Sequence, residues 1–537
     1  MTAIHQLSIG QLLVTPLANC PEQEIIHGDV MRYSYRNLRQ RIGRMGAALT
    51  ALGVGQGSVV AMMDYDSHRY FEAFFGVPML GAVLHTVNVR LSPEQVLYTI
   101  NHARDDVILV HRDFVPMLAG IAARITRPVQ FLLLQDEPGE VPAGLAFAGE
   151  YEALLAAADA GHRFPEFDEN TQATLFYTTG TTGDPKGVSF SHRQLVLHTL
   201  AGIAALSPIP GMGGFHRGDV YMPITPLFHV HGWGIPYAAT LLGVKQIYPG
   251  RYEPAKLLGL IEKHGVTFSH CVPTILNMLL NAPESAAVDL SRWKVIIGGS
   301  ALPAGLAQAA MARGIDVHSG YGMSETCPLL TLSDMVASQA EGDTVAGRIA
   351  TGKAVPLVEL ALVGEDGQPL PWDGVSSGEI IARAPWLTEG YLHNPAGTQA
   401  LWQKGWLHTG DIGAIDSEGT LRIGDRLKDV IKSGGEWVSS LDLESLASRV
   451  PGVAEVAVIG LPDARWGERP CVVMALAAGA DGAAVAAGIH AAIAAAIAAG
   501  RLPKWAAPER IEVVAALPKT SVGKLDKKRM RVEFAPS

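Results

Sequence analysis

Residues 177–187 read YTTGTTGDPKG, and this stretch carries the strongest signal about fold and chemistry in the 537-residue chain. It follows an apolar run at 173–176 that is typical of a strand, and it combines glycines, threonine hydroxyls and one cation. Glycines let backbone amides close around phosphate oxygens, hydroxyls add donors or a Mg²⁺ ligand, and Lys186 adds positive charge. The stretch therefore predicts a polyphosphate-binding loop at the end of a strand.

The neighbours of Lys186 exclude a Walker-type P-loop. That loop has Gly directly before its Lys and Ser or Thr after it, whereas Pro185 and Gly187 flank the lysine here. The next residues, VSFS at 188–191, favour a strand and not the helix that follows a P-loop. The alternative of an ordinary Thr/Gly-rich surface loop is disfavoured because all 11 consecutive residues fit a phosphate cradle.

Composition narrows the class of protein. Hydrophobic residues make up 48% of the chain and charged residues 18%, which indicates a globular protein and excludes a disordered one. The net charge of -10 at pH 7 provides no basic stripe, so we expect no nucleic-acid partner. The 4 cysteines show no CxxC spacing, which predicts neither a zinc site nor a disulfide framework and fits a cytoplasmic location.

We expect neither a secretion signal nor a transmembrane segment. The first 16 residues lack a basic region followed by an apolar run. Residues 472–500 form the longest apolar tract, but alanine dominates it, and alanine buries too little surface to favour lipid decisively. We interpret this tract as helices of a soluble domain.

Strand-like and helix-like patterns alternate through most of the chain. Apolar runs at 58–62 and 107–110 alternate with helical patterns such as 38–52. This alternation predicts an α/β fold with helices on the faces of a sheet. Between 357 and 383, short segments separated by Gly, Pro and Asp predict a small β subdomain within the large N-terminal domain.

A charged turn, GDRLKD at 424–429, precedes a final stretch with its own strand and helix patterns. We therefore predict an N-terminal domain over residues 1–424, a linker at 425–428 and a small C-terminal domain over 429–537.

The loop at 177–187 resembles the signature of the adenylate-forming enzymes, a superfamily that includes acyl-CoA synthetases, firefly luciferase and peptide-synthetase adenylation domains. Other motifs of the superfamily follow in the expected order, so that the resemblance covers essentially the whole chain. They are SGYGMSET at 319–326, GWLHTGD at 405–411 and LPKTSVGK at 517–524. The resemblance implies an enzyme that uses ATP and Mg²⁺ to form an acyl-adenylate. It also implies a mobile α+β C-terminal domain that rotates about a hinge at Lys428.

The resemblance implies roles for individual residues of these motifs. Lys524, Lys186 and Glu325 would be the catalytic residues, and Glu325 with Thr178 would hold the metal, since a hard cation prefers oxygen ligands. Asp411 would accept hydrogen bonds from both ribose hydroxyls. The expected ATP and AMP contacts are Thr178, Thr179, Gly180, Thr181, Thr182, Gly183, Lys186, Gly299, Ser319, Gly320, Tyr321, Ser324, Asp411, Arg426, Lys432, Trp437 and Lys524.

Three further stretches resemble the medium- and long-chain fatty acyl-CoA synthetases: FHVHGW at 228–233, LHTVNVRL at 84–91 and KSGGEWVSS at 432–440. This subgroup implies a fatty acid as substrate, coenzyme A as co-substrate and a homodimer. Trp233 would gate the acyl tunnel, and Gly434 and Gly435 would line the pantetheine channel. The expected acyl contacts are His229, Val230, Trp233, Gly298, Ser300, Ala301 and Gly322.

The sequence departs from the pattern of its relatives in two places, and it also differs from acetate-specific relatives at Gly322. Ser319 stands where many relatives have Asn or Gln beside the adenine, and His231 with Gly232 stands where the subgroup often has Asn-Ala. Acetate-specific relatives place a bulky Trp at the position of Gly322. We therefore expect Gly322 to leave the floor of the acyl pocket open.

Alternatives stay open at this stage. Amino-acid adenylation is disfavoured because such relatives hold the ammonium group with an Asp just after the aromatic-His region, which here reads VHGW at 230–233. Luciferase-type oxidation shares every motif, and light emission or oxygen uptake would distinguish it. A catalytically inactive binding protein is disfavoured because Lys186, Glu325, Asp411 and Lys524 are all present. An aryl or other carboxylate is the alternative substrate to a fatty acid.

Overall fold

The computed structural model describes residues 5–178, 184–207, 214–333, 344–427, 429–433, 436–500, 502–520 and 524–535. Several predicted site residues lie outside these ranges: Thr179, Gly180, Thr181, Thr182, Gly183, Lys428, Gly434 and Gly435. For Trp437 only the backbone is described, and it lies in a strand.

The described residues form the following strands in chain order: β1 (Glu24–His27), β2 (Met31–Ser34), β3 (Val59–Met63), β4 (Val83–Thr86), β5 (Val107–His111), β6 (Gln130–Leu134), β7 (Phe147–Glu150), β8 (Gln172–Thr178), β9 (Lys186–Ser191), β10 (Val220–Tyr221), β11 (Lys245–Tyr248), β12 (Phe268–Cys271), β13 (Lys294–Ile297), β14 (Asp316–Gly322), β15 (Leu329–Leu332), β16 (Lys353–Ala354), β17 (Glu359–Val363), β18 (Gly378–Arg383), β19 (Trp402–Gln403), β20 (Trp406–Ile415), β21 (Leu421–Arg426), β22 (Ile431–Ser433), β23 (Glu436–Val438), β24 (Val453–Asp463), β25 (Gly467–Leu476) and β26 (Arg510–Val514).

The helices of the same residues are α1 (Val14–Asn19), α2 (Tyr35–Ala51), α3 (His68–Gly76), α4 (Pro93–Ala103), α5 (Val115–Ala122), α6 (Tyr151–Ala157), α7 (His192–Leu206), α8 (Val230–Trp233), α9 (Ile235–Leu242), α10 (Pro254–His264), α11 (Pro273–Leu280), α12 (Ala304–Ala312), α13 (Thr344–Ile349), α14 (Pro395–Leu401), α15 (Ser440–Ala447), α16 (Gly482–Ala498) and α17 (Lys527–Glu533).

Two large sheets carry the N-terminal part. One has the strand order β7-β6-β5-β3-β4-β8-β9, and the other β16-β15-β14-β13-β12-β10-β11-β1-β2. Their central strands pair in parallel and read as continuous apolar runs, for example VVAMM in β3 and VILVH in β5, because both faces of such strands are buried. Helices follow these strands, and three of them begin with a serine capping box, at Ser34, Ser92 and Ser191. The α/β prediction is confirmed.

Two smaller sheets complete the fold. Strands β17, β18, β20 and β19 form an antiparallel sheet, with β21 added beside β20, and this is the predicted β subdomain. Strands β23, β22, β25 and β24 form the last sheet, with β26 beside β25. Residues of this last sheet and of α15 and α16 share an apolar core of their own, which includes Ile431, Leu443 and Ile489. The fold thus separates a large α/β part from a small α+β part, and the exact boundaries and the hinge at 425–428 stay predictions.

The interpretation of residues 472–500 as helices is wrong for its first residues. Val472 to Leu476 belong to β25, and only Gly482–Ala498 is helical. Val472 pairs with Val458 of β24 and Ile511 of β26, so strand pairing on both sides decides the conformation of a segment with no helical periodicity of its own. Across the described ranges, the helices are too short or too polar to cross a bilayer.

Candidate active site

The phosphate loop is held by a hairpin. Thr178 ends β8 and Lys186 begins β9, and the two residues are cross-strand partners. The Lys186 Nζ atom lies 4.6 Å from the centre of the Tyr391 ring, a distance at which a cation is attracted to the ring face. The structure therefore brings together the predicted phosphate cation and the predicted metal-binding hydroxyl.

Glu325 lies in the turn after β14. Its side chain is buried, and its Oε1 accepts a hydrogen bond of 2.6 Å from the Tyr391 hydroxyl. The backbone oxygen of Glu325 accepts a second hydrogen bond from the Thr388 amide. Within the ranges that the structure describes, the carboxylate has no ion-pair partner, and Oε2 makes no hydrogen bond. A buried carboxylate with one oxygen anchored and the other available fits a Mg²⁺ ion.

Tyr321, Asp411 and Arg426 form a second group. The Tyr321 hydroxyl donates to Asp411 Oδ2 at 2.8 Å, and Arg426 Nε lies 3.4 Å from Asp411 Oδ1. Asp411 and Arg426 are cross-strand partners in β20 and β21, so the ladder itself places the cation beside the carboxylate. Burial, together with the charge of Asp411, holds the pKa of Tyr321 well above its usual range. The phenol is therefore a neutral donor to the Asp411 carboxylate.

A cavity opens beside this group, between α7, α8 and the end of β14. Glycines and apolar side chains form most of its wall. Ten of the predicted contacts lie on it: His229, Val230, Trp233, Gly298, Gly299, Gly320, Tyr321, Gly322, Ser324 and Lys524. The Trp233 ring explains why residue 298 is a glycine: a Cβ atom on Gly298 would lie 3.0 Å from that ring.

Helix α8 is a left-handed turn. The backbone φ angle is positive at five consecutive residues, from 48° at Val230 to 72° at Gly234. Such a conformation is costly for a β-branched residue, and strained backbone of this kind is concentrated at functional sites. The turn carries Val230 and Trp233 to the cavity wall.

His231, which departs from the pattern of the subgroup, does not line the cavity. It is fully buried, and burial lowers the pKa of its imidazole to about 3. Both ring nitrogens lack a hydrogen-bond partner among the described residues. The imidazole instead packs among the aromatic rings of Phe74, Phe176, Phe190 and Tyr237. The departure from the Asn-Ala pattern therefore changes the core behind the cavity.

Lys524 reaches the cavity from the C-terminal part of the chain. A Cβ atom on Gly299 would lie 3.1 Å from Lys524 Cε, so the glycine makes room for the lysine. The φ angle of Gly299 is 79°, which also favours glycine. Burial, and then the positive charge of Lys524, lowers the pKa of the nearby His229 to about 3. Lys524 and His229 thus border one end of the cavity, with the histidine neutral near pH 7.

Some predicted contacts lie elsewhere. Ser300 and Ala301 are exposed and do not line the cavity, because the chain turns outward after Gly299. Lys432 lies in β22 with an exposed side chain, away from the cavity wall in this arrangement of the chain. Ser319 is buried, and its hydroxyl has no hydrogen-bond partner within the described ranges.

The expectation that Gly322 leaves the floor of the acyl pocket open is wrong. Gly322 lines the cavity, but a Cβ atom there would lie 1.6 Å from the backbone oxygen of Pro328. The glycine is needed for close approach of two backbone segments and does not mark open space. A bulky residue would therefore displace backbone at this position.

The sequence prediction missed the wall that α7 and α9 contribute, with His198, Gly202, Leu206 and Ala238, and it missed Tyr391. Gly202 is buried, yet a Cβ atom on it would meet nothing within 4 Å, so it faces the cavity. The signal that could have revealed Gly202 is a glycine in the middle of an apolar helix. Such a glycine destabilises the helix, so its presence indicates that the space beside it has a use.

Comparison with known proteins identifies the family of the chain. The family model described as AMP-binding enzyme matches residues 15–392, and the AMP-binding enzyme C-terminal domain matches residues 442–524. The long-chain-fatty-acid–CoA ligase of Thermus thermophilus is 40% identical over 99% of this chain and 96% of its own length. The 3-methylmercaptopropionyl-CoA ligase of Ruegeria lacuscaerulensis is 37% identical over 94% of this chain and 93% of its own.

Among solved structures, the anthranilate CoA ligase AuaEII in complex with anthranoyl-AMP has the same fold. Its TM-score is 0.87 at 24% identity, with 98% of this chain and 97% of that chain covered. The chain belongs to the AMP-binding, adenylate-forming enzymes. Within that family it is an acyl-CoA ligase, an acid–thiol ligase that uses ATP, Mg²⁺ and coenzyme A.

Proposed function

We propose that this acyl-CoA ligase activates medium- or long-chain fatty acids. The main support is the cavity, because its wall is mainly apolar and glycine-rich and because Lys524 and Gly299 are part of that wall. An aliphatic chain buried there gains up to about 0.8 kcal/mol for each methylene group. The long-chain activity named for the Thermus thermophilus relative supports the same class of acid. An aryl acid is the second candidate, since the acid in the AuaEII complex is aromatic.

The charged groups suggest how the first half-reaction proceeds. The acid is ionised near pH 7, so its carboxylate attacks the α-phosphate of ATP without a general base. We propose that Lys186 and Lys524 offset the negative charge that develops on the phosphates and the departing pyrophosphate. His229 is neutral at this pH, so it cannot offset this negative charge as the lysines would. Glu325 and Thr178 would hold Mg²⁺, which when bound adds positive charge at the phosphates.

The nucleotide would lie along the Tyr321 and Asp411 group. Asp411 is proposed to accept hydrogen bonds from the ribose hydroxyls, with Arg426 beside it and the Tyr321 ring against the adenine. In the second half-reaction, the thiol of coenzyme A, with a reference pKa of about 8.5, attacks the acyl carbon of the mixed anhydride as thiolate. The C–S bond of the thioester forms, the C–O bond to the phosphate breaks, and AMP leaves.

An activity panel tests the choice of acid. The enzyme would be given ATP, Mg²⁺ and CoA with straight-chain acids from acetate to octadecanoate and with aryl acids, and pyrophosphate and thioester would be measured. We expect the highest kcat/KM for aliphatic acids of medium or long chain. A maximum at benzoate or anthranilate would contradict the fatty-acid proposal and favour the aryl alternative.

Gly202→Leu is expected to shorten the accepted acid. The new side chain would enter the cavity, since a Cβ atom at this position meets open space. Each methylene that the leucine excludes forfeits up to about 0.8 kcal/mol, so kcat/KM for the longest accepted acids should fall by about tenfold or more. For acids of about two to four carbons, kcat/KM should stay within roughly twofold of the wild-type value.

Gly259→Leu is the matched control for this experiment. Gly259 also lies within a helix, α10, where a Cβ atom meets nothing within 4 Å, but it is exposed and away from the cavity. Both variants gain similar helix propensity. An unchanged chain-length profile in folded Gly202→Leu would mean that the acyl chain runs elsewhere.

Asp411→Asn is expected to raise the KM for ATP by roughly tenfold with a smaller change in kcat, because hydrogen bonds to a charged acceptor contribute about 1.5–3 kcal/mol. ATP-dependent initial rates at saturating acid and CoA measure this. Glu418→Gln, an exposed carboxylate in the turn between β20 and β21, is the control. An unaltered KM for ATP in Asp411→Asn would remove this residue from the ribose site.

A cytoplasmic location and a homodimer are also proposals. All four cysteines are free, which fits a reducing compartment. Light scattering of the purified chain would test the dimer against its monomer mass of 57.0 kDa.

A further inference from the structure

Tyr391 lies between two opposite charges of the proposed phosphate and metal site. Its hydroxyl donates to Glu325 Oε1 at 2.6 Å, and its ring face receives Lys186 Nζ at 4.6 Å from the ring centre. The two charged groups therefore contact different parts of one side chain. Within the described residues, neither charge forms an ion pair with another side chain.

The backbone holds Tyr391 firmly in this place. The Leu392 amide donates to the Gly187 oxygen at 2.9 Å, and Tyr391 forms an isolated bridge with Val188 of β9. The Tyr391 amide also donates to Thr398 Oγ1 at 2.9 Å. The segment is thus attached to the strand that begins at Lys186. The backbone therefore fixes the position of the Tyr391 ring relative to this lysine.

The hydroxyl of Tyr391 is the donor in its contact with Glu325, because a carboxylate can only accept. This 2.6 Å hydrogen bond fixes the orientation of Oε1 and leaves Oε2 as the other oxygen of the carboxylate. Partners of this kind orient metal-binding carboxylates and tune their affinity.

We propose that Tyr391 is a positioning residue for ATP and its metal ion. Its hydroxyl orients Glu325, and its ring holds Lys186 while keeping the lysine from pairing with that carboxylate. Lys186 and Glu325 have opposite charge, and a direct ion pair between them would have to break before Mg²⁺ and the phosphates could bind. This inference rests on the proposed metal and phosphate roles of Glu325 and Lys186.

Two substitutions separate the two parts of the proposal. Tyr391→Phe removes one oxygen atom and keeps the ring over Lys186, whereas Tyr391→Leu removes both contacts. Tyr98→Phe is the matched control, because Tyr98 is half-buried on α4 and its hydroxyl makes no hydrogen bond within the described part of the chain. Circular dichroism checks that each variant is folded.

The readout is binding and needs no acid. Mn²⁺ affinity would be measured by electron paramagnetic resonance in the presence of α,β-methylene-ATP, which cannot be cleaved at the adenylation bond. Affinity for the same analogue without metal would be measured by calorimetry in EDTA. A wild-type enzyme that binds no Mn²⁺ would refute the metal site itself, which is a different result from failure of the Tyr391 proposal.

We expect Tyr391→Phe to weaken Mn²⁺ binding about tenfold and to leave metal-free analogue binding within about twofold. Tyr391→Leu should also weaken metal-free binding, by about threefold or more, because Lys186 loses its ring contact. In a Glu325→Gln background, Tyr391→Phe should add less than about twofold. Wild-type Mn²⁺ affinity in Tyr391→Phe, or an equal loss with and without Glu325, would overturn the proposal.

Discussion

Lys524→Ala is expected to slow acyl-adenylate formation by about a hundredfold or more. Lys524 lies against Gly299 at the end of the cavity, where the carboxylate and the α-phosphate would meet. Its loss removes a cation from the charge that develops there, and His229 cannot replace it because its pKa is lowered to about 3. Pyrophosphate release at saturating acid and ATP measures this step.

The same variant should convert supplied acyl-adenylate and CoA to thioester at close to the wild-type rate. In our proposal the C-terminal domain rotates about a hinge at Lys428 after adenylation, which turns Lys524 away and presents Gly434 and Gly435 to the pantetheine channel. Lys519→Ala, which removes the exposed partner of Glu455 in the same segment, is the control. Equal losses in both half-reactions would contradict domain rotation and support one fixed active site.

Glu325→Gln is expected to have an effect of similar size at low Mg²⁺. The amide keeps the shape of the side chain and can still accept from Tyr391, but it loses the charge that binds a hard cation. We expect a loss of about a hundredfold at a Mg²⁺ concentration near the wild-type half-maximum, with partial recovery at high Mg²⁺.

Initial rates over a Mg²⁺ series with ATP in fixed excess measure this effect. Glu389→Gln, an exposed carboxylate two residues before Tyr391, is the control. An unchanged Mg²⁺ dependence in a folded Glu325→Gln enzyme would exclude Glu325 from the metal site.

The sequence predicts the elements that carry strong local patterns. The strand expected at 107–110 is Val107–His111, and the helix expected at 38–52 is Tyr35–Ala51. Buried parallel strands and capped amphipathic helices are legible because their patterns are local. The alanine-rich tract at 472–500 has little contrast between its faces, so only strand pairing reveals that it begins in β25.

In the candidate site, too, residues in local motifs could be predicted, whereas features that depend on tertiary contacts could not. Motif residues such as Glu325, Asp411 and Lys524 could be named because the chemistry repeats in short stretches. Gly322 was expected to leave the pocket floor open, but the Pro328 backbone occupies the space of its Cβ atom. The sequence does not reveal this close approach of two backbone segments.

Contacts between distant segments that carry no recognised motif could not be predicted. Tyr391 meets Glu325 across 66 positions of sequence, and Gly202 faces a cavity whose other walls belong to later elements. The left-handed turn at Val230 was equally hidden, because a β-branched residue does not favour positive φ. Tertiary structure imposes that conformation.

The most direct test of the account follows the oxygen atoms of the acid. Dodecanoate with oxygen-18 in its carboxylate would be incubated with the enzyme, ATP, Mg²⁺ and CoA, and the products would be analysed by mass spectrometry. If the carboxylate attacks the α-phosphate, one labelled oxygen must appear in AMP for each thioester formed, and the thioester must retain the other. Labelled inorganic phosphate with ADP, or thioester formation with unlabelled AMP, would contradict an acyl-adenylate route.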